Sequence, residues 1–261
     1  MSHRATNKNK KKIDKINSIL DEIDIEDMYD DVFEAYEILI LTLGTETLSE
    51  LAVSVVFDKA NKRVIEFLEE NIRNTQKNIS DSLKRKIEKA IKTGYVEGKN
   101  EKEIRNSVKK VFENKMKNYE IDRIIRTETN TAQNFSDFTA YEQSGVVEYI
   151  MWICTMMHSR DWHISMNGQI VPIGEDFISP LGNATLYPGG FGIAEEDVNC
   201  LCFLSSADSK SYKLNENAQM KIIQTKNVKR KRFEKVFKEH YIKMFKNLEN
   251  RVLSKFDEIG V

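Results

Sequence analysis

Residues 119–154 read YEIDRIIRTETNTAQNFSDFTAYEQSGVVEYIMWIC, and the fold turns on the change of rhythm inside them. Up to Ser144, the apolar residues Ile121, Ile124, Ile125, Ala132, Phe135 and Tyr141 keep a helical stripe, and Gly145 stands where such a helix is expected to stop. From Val146 the apolar residues run together as VVEYIMWIC, which predicts a strand. The helix is unusual on the side away from its stripe. In place of the Lys/Glu mixture of a solvated face it carries Arg126, Thr127, Glu128, Thr129, Asn130, Thr131 and Asn134, short hydrogen-bonding side chains of modest helix propensity. Such a run is expected to have a use, unless Thr127 or Thr129 is simply an N-terminal cap.

Downstream, the texture of the chain changes. All three prolines (Pro172, Pro180, Pro188), all three cysteines (Cys154, Cys200, Cys202), both tryptophans (Trp152, Trp162) and six of the eleven glycines lie between 152 and 202. Further strands are expected in QIVPI (169–173) and CLCFL (200–204), joined by glycine- and proline-set loops. The longest loop, SPLGNATLYPGGFG, is expected to be anchored by Phe177, Tyr187 and Phe191. Polar chemistry converges on HSRDWH, with His158, Arg160, Asp161 and His163, and on NCLC, with Asn199, Cys200 and Cys202. Three readings compete here. His158, His163, Cys200 and Cys202 could form a Cys2His2 zinc site; the cysteines could be small buried hydrophobes, with His163 bonded to the loop; or a cysteine and a histidine could form a nucleophilic pair. C-x-C is rarer than C-x-x-C in zinc sites, and only one of the two cysteines is expected to face the histidines.

Upstream, residues 1–13 carry five basic side chains and no acid, which predicts a disordered basic arm. From Asp14 to Glu37 ten acids face Lys15 alone, a net charge of -9, with Ile16, Ile19, Leu20 and Ile23 at helical spacing. Helices are expected at Phe33–Leu43, Thr47–Phe57, Ala60–Gln76 and Asp81–Thr93, broken at Gly44 and at the pair Gly94 and Gly98. Asn100 followed by Glu103 reads as a capping box opening a helix over about 101–117, so that 80–117 forms a helical hairpin. At the other end, Phe233, Phe237, Tyr241, Met244, Leu248, Val252, Phe256 and Ile259 make one stripe on a tail with net charge +8 from residue 210. The run Lys226, Lys229, Arg230, Lys231 and Arg232 is its most basic point and the expected contact for nucleic acid or a partner. Packing of this tail on the acidic N-terminal helices is the competing use.

Several classes drop out. No run of roughly 18 apolar residues exists, so no membrane span or membrane partner is expected. The basic N-terminus has no apolar segment behind it, which argues against a secretory signal, and three cysteines argue against a disulfide scaffold. Between 152 and 203 a single base, Arg160, faces six acids, a poor surface for phosphates.

The ordered set RIIRTETNTAQNFSDFTAYEQSGVVEYIMW, SRDWHISMNGQIV, EDF, LYPGG and EEDVNCLC resembles the C-terminal domain of the phage head morphogenesis family, the Mu F-like minor head proteins, over about residues 119–204. The family pattern falls on Arg126, Thr127, Glu128, Asn130, Arg160, His163, Gly168, Asn199, Cys200 and Cys202. Two departures are visible: Met156 or Met157 and His158 stand where an Asp and a first Arg are usual, and Leu201 replaces the Arg of N-C-R-C. The fold class expected is α+β: a basic arm at 1–13, a mainly helical N-terminal body at 14–118, a small loop-rich, β-containing Mu F-like domain at 119–205, and a long basic C-terminal helix within 206–261. The resemblance implies a non-enzymatic minor structural protein of a tailed-phage head. Its partners would be the portal and procapsid components, with nonspecific double-stranded DNA as a further contact, and it would carry no cofactor unless zinc. It would be made in the host cytoplasm and travel in the virion, in the head interior or at the portal vertex. The alternative is a phage-associated toxin or nuclease-type enzyme using Arg126, Glu128, Arg160 and His163.

Overall fold

The computed structural model describes residues 26–117, 119–156 and 159–258. The basic arm at 1–13, the first half of the acidic stretch 14–37, His158 and Ile259 lie outside the described residues. In chain order the elements are α1 (Glu26–Glu50), α2 (Lys62–Val96), α3 (Glu101–Lys117), α4 (Tyr119–Ser144), β1 (Tyr149–Ile153), α5 (Asp161–Ser165), β2 (Ile170–Pro172), β3 (Phe177–Ile178), β4 (Ala184–Thr185), α6 (Ala194–Asp197), β5 (Phe203–Ala207) and α7 (Glu216–Glu258). The protein is thus mainly helical α+β, with a long C-terminal helix. Among the described residues no helix is long and apolar enough to cross a membrane.

Where periodicity governs, the elements form as the sequence predicts. The Asn100 side chain accepts from the Glu103 amide at 3.0 Å and the Glu103 carboxylate accepts from the Asn100 amide at 2.8 Å, the reciprocal capping box that opens α3. Gly145 ends α4 with a φ of 65°. Two expected breaks do not occur, at Gly44 and between Gln76 and Asp81, while the one expected at the pair Gly94 and Gly98 does. Helix α1 runs through Gly44, where an added Cβ would lie 2.3 Å from the Phe57 ring, so this glycine admits a neighbour rather than ending a helix. Helix α2 runs unbroken from Lys62 to Val96; Gly94 lies within it and leaves room for Ile104, and the chain turns at Gly98 with a φ of 73°. The strand expected at 200–204 begins only at Phe203.

The chain forms two compact units, each drawn from several segments. One comprises residues up to Glu34, Phe67–Ile121 and Glu239–Val261. Its buried residues are the helical stripes: Leu68, Ile72, Leu83, Ile87 and Ile91 of α2, Ile104, Val108 and Phe112 of α3, and Tyr241, Met244, Phe245, Leu248, Val252 and Phe256 of α7. Burying a side chain of this kind contributes roughly 1.5–3 kcal/mol. Glu120 receives Lys86 at 2.6 Å and Lys115 at 2.5 Å, and these two ammonium groups hold its carboxyl down at about 2.

The second unit comprises Ala35–Glu66 and Asp122–Lys238. Its antiparallel sheet has the order β2-β1-β5, with Met151 opposite Ile170 on one side and Ser205 on the other. Alternate residues of a strand point to opposite faces. Ile150, Trp152 and Cys154 therefore join one cluster with Phe138, Tyr141, Phe177 and Leu204. Met151 and Ile153 join another with Phe203 and, from α7, Ile222 and Ile223. Both faces of β1 are covered, which is why its sequence is an unbroken apolar run.

The most basic stretch of the tail turns largely inward in this unit. Lys226 is buried and pairs with Asp137 at 2.6 Å, and Asp137 also accepts the Thr47 hydroxyl at 2.6 Å. Lys229 reaches Glu50 at 2.6 Å, Arg232 reaches Glu46 at 2.7 Å, and buried Arg230 pairs with Glu234 at 3.1 Å. Lys231 is exposed. The basic tail does meet an acidic helix, through Glu46 and Glu50 of α1.

Two tests follow from this packing. Lys226→Met strands the buried Asp137 carboxylate and is expected to cost about 3–5 kcal/mol in urea unfolding, whereas the double change Lys226→Met with Asp137→Leu recovers most of the loss; a single variant as stable as wild type would refute the pair's role. The Glu120 carboxyl is depressed from 4.5 to about 2, so its stabilisation is present above 4.5 and is lost as pH falls toward 2. Glu120→Gln is expected to be less stable than wild type near neutral pH, with the difference closing as unfolding is measured at successively lower pH.

Candidate functional site

From Thr129 to Tyr141 every residue of α4 is buried, so the polar face of the helix is inside the protein. Buried polar groups in such a position must find partners. Some bond back along the helix: the Thr127, Thr129 and Ser136 hydroxyls donate to the carbonyls of Arg123, Ile125 and Ala132 at 2.9, 2.6 and 2.7 Å. Neither Thr127 nor Thr129 is therefore an N-terminal cap.

Gln133 and Asp137 turn to Lys226 and Thr47, and four others reach across to the irregular segment. Asn134 donates to the carbonyls of Pro188 and Cys202, both at 3.0 Å, and accepts the Leu204 amide at 2.9 Å. Asn130, one turn earlier, also donates to the Cys202 carbonyl at 3.2 Å. The Thr131 hydroxyl donates to the Gly189 carbonyl at 3.1 Å, and an added Cβ at Gly189, whose φ is 84°, would lie 2.7 Å from that hydroxyl. Thr127 accepts the Asn199 amide at 3.0 Å, where Asn199 has a φ of 58°, a left-handed conformation that asparagine tolerates better than most side chains. The helix thus supplies side-chain partners for backbone groups that no strand pairs.

A second polar centre lies under β1. Glu196, on α6, is fully buried and its carboxylate accepts four bonds: Trp162 Nε1 at 2.8 Å, His163 Nε2 at 2.8 Å, Ser179 Oγ at 2.7 Å and Asn183 Nδ2 at 2.9 Å. Burial works to raise its pKa, yet these donors hold it at about 2. His163 is 1% exposed, and its other nitrogen, Nδ1, lies 3.7 Å from Cys200 Sγ and 3.8 Å from Cys202 Sγ. Both cysteines therefore face His163, against the expectation that only one would, because residues two apart in an extended segment share a face. Burial works against a charge on His163, but the Cys200 thiol and the Glu196 carboxylate outweigh it and raise its pKa. Cys154 sits within hydrogen-bonding reach of Cys202, which, with help from Ser159, lowers its pKa to about 6 against burial. Cys200 is lowered to about 5 by Cys202 and His163, while Cys202, between two thiols, is raised. Burial raises Asp197 to about 6, and that carboxylate accepts the amides of Phe191 and Ile193 at 3.2 Å each, pinning the loop.

The residues singled out in the sequence occupy several places. Glu128 accepts the Tyr36 hydroxyl, Arg160 donates to the Val198 carbonyl at 2.5 Å, Asp161 is exposed, and Gly168 forms the turn before β2 with a φ of 80°. Arg126 is half-buried on α4. Phe177, Tyr187 and Phe191 do anchor the long loop: Phe177 and Phe191 pack on Trp152, and Tyr187 packs on Phe135 and Phe138. Sequence reasoning missed Glu196, one of three acids in EEDVNC with nothing local to mark it, and Cys154, whose tie to the C-x-C pair exists only across the sheet.

These features define a class: an α+β module in which a buried polar helix is stitched to a three-stranded sheet beside a buried Cys/His/Glu cluster. Residues 85–205 match the family model described as phage Mu protein F like protein. The match takes in the helical hairpin as well as the segment from 119 on which the resemblance was seen. The chain is also similar to "NAD(+)--arginine ADP-ribosyltransferase EFV" of Enterococcus faecalis, 32% identical over 126 residues, which cover 47% of this chain and 25% of that protein. The chain therefore spans about a quarter of the length of this curated relative. No solved structure matches.

Asn134 is the residue on which the stitching depends most. Asn134→Ala leaves the Pro188 carbonyl and the Leu204 amide without their partner, removes one of the two donors to the Cys202 carbonyl, and is expected to lower unfolding stability by about 2 kcal/mol or more. A loss under about 1 kcal/mol would show that the helix is not held to β5 in this way.

Proposed function

We propose that the protein is a minor structural component of a tailed-phage head, acting in head assembly through contacts with the portal and other procapsid components and carried in the virion, in the head interior or at the portal vertex. The observation that carries this reading is the Mu F-like segment at 85–205, together with the use its motif residues find in the fold. Thr127, Asn130 and Asn199 join helix to loop, Arg160 binds a backbone carbonyl, and His163 is buried against Glu196. These groups support a rigid scaffold. DNA contact, where it occurs, falls to exposed lysines of α7 such as Lys231 and Lys235, because Lys226, Lys229, Arg230 and Arg232 are engaged with carboxylates. It is sequence-independent and weakens as salt rises.

The second reading, a toxin or nuclease-type enzyme using Arg126, Glu128, Arg160 and His163, draws its support from the relative named as an ADP-ribosyltransferase. Against it, the shared stretch is a quarter of that relative, and Glu128, Arg160 and His163 each already have a partner within the fold.

Co-sedimentation separates the two. The protein is expected to pellet with portal oligomers or procapsids and to be present in purified heads, and its expression alone in a bacterial host is expected to be harmless. Absence from heads, or growth arrest that His163→Ala abolishes, would overturn the structural reading.

A further inference from the structure

Beyond its place in the head, the domain carries a cluster whose chemistry the assembly reading does not use. His163 Nδ1, Cys200 Sγ and Cys202 Sγ lie within 4.8 Å of one another, and all three residues are buried. Cys154, also buried, lies outside that set of three but stands across the sheet from Cys202, one position beyond the Ile153–Phe203 pair. We propose that His163, Cys200, Cys202 and Cys154 form a structural Cys3His zinc site that locks the strand-and-loop half of the domain.

Three features argue for a metal over an apolar core. First, the ligand types and spacing fit. Zinc bound tetrahedrally at about 2.3 Å to sulfur and about 2.0–2.1 Å to nitrogen places N and S about 3.6 Å apart. The two separations from His163 Nδ1 are 3.7 and 3.8 Å. One S–H···N hydrogen bond would satisfy Nδ1; a second sulfur at nearly the same distance from it is what a shared metal calls for.

Second, the imidazole is oriented as a ligand. Its Nε2–H donates to the Glu196 carboxylate at 2.8 Å, which fixes the tautomer with the Nδ1 lone pair toward the sulfurs. A carboxylate on the far nitrogen is the usual second partner of a metal-binding histidine, and here it is itself held by Trp162, Ser179 and Asn183. This chain of bonds has no evident purpose if His163 merely fills space.

Third, the four ligands join α5, which is outside the sheet, to the adjacent ends of the paired strands β1 and β5. Cys154 follows β1, His163 is on α5, and Cys200 and Cys202 precede β5 after the left-handed turn at Asn199. Four protein ligands make a closed, structural site in which zinc holds three thiolates and a neutral imidazole, any protons remaining on the sulfurs and on Nδ1 passing to solvent, with a single negative charge on the cluster.

The test uses the full chain, expressed with zinc in the medium. Elemental analysis is expected to give about one zinc per chain, and removal by a chelator is expected to lower the melting temperature. Replacing zinc by cobalt is expected to give thiolate-to-cobalt charge-transfer absorption together with the visible bands of a tetrahedral site. Cys154→Ser is expected to release metal to a chelator faster than wild type. Metal-free protein that gives no thiolate–cobalt absorption overturns the proposal, and so does wild-type release from Cys154→Ser for the four-ligand assignment. If the variant fails to fold, the wild-type metal content and cobalt spectrum decide alone. None of these measurements depends on binding to heads, so the site and the assembly reading stand or fall separately.

Discussion

The carboxamide of Asn134 makes three hydrogen bonds, and the second unit is organised around it and its neighbours on α4. A helix buried from Thr129 to Tyr141 is destabilised by each polar group it leaves unmatched, as it does Asn130 Oδ1, Gln133 Oε1 and Thr139 Oγ1, and the irregular loops before β5 do not pair all their backbone groups in a sheet. Each solves the other's difficulty. The helix contributes asparagine and threonine side chains; the loops and β5 contribute carbonyls and amides at Gly189, Pro188, Cys202, Leu204 and Asn199. Apolar side chains of similar size would bury as much surface and leave those backbone groups unsatisfied, which costs about 1–3 kcal/mol apiece.

The remaining contacts of this unit are arranged about that seam. Trp152, on the central strand, meets Phe177, Phe191 and the His163 ring, so the loop aromatics and the polar cluster share one floor. Asp137, one turn beyond Gln133 on the same helix, takes Lys226 and Thr47, and Gln133 donates to the Lys226 carbonyl at 3.3 Å. The most basic stretch of the tail is thereby drawn onto α4 and α1. A chain that looks divided into acidic, compact and basic parts brings residues of all three into this unit.

What the sequence made legible was what local physics decides. The capping box at Asn100 and Glu103, the stop at Gly145, the apolar run of β1 and the tail stripe through Phe256 each depend on residues within a few positions of one another. The odd run of Thr and Asn on α4 could be recognised as needing a use, but the side it meets is about 60 to 70 residues away. Gly44 read as a break because its reason, the Phe57 ring, lies beyond the end of the helix. Glu196 was one acid among three until four donors from 162 to 183 singled it out. Charge alone left the basic residues at 226–232 between an outside partner and acidic helices of the same chain, and only the fold supplies Asp137, Glu46 and Glu50 as their partners.

The account rests on the seam between α4 and the backbone before and within β5, and amide hydrogen exchange at Leu204 reads it directly. That amide donates to a side chain, Asn134 Oδ1, so its protection reports the seam itself. If the seam is as described, Leu204 exchanges only when the second unit unfolds, with an exchange free energy equal to that of the most protected α4 amides. Exchange at Leu204 as fast as at exposed loop amides, with α4 and β1 still protected, would contradict it.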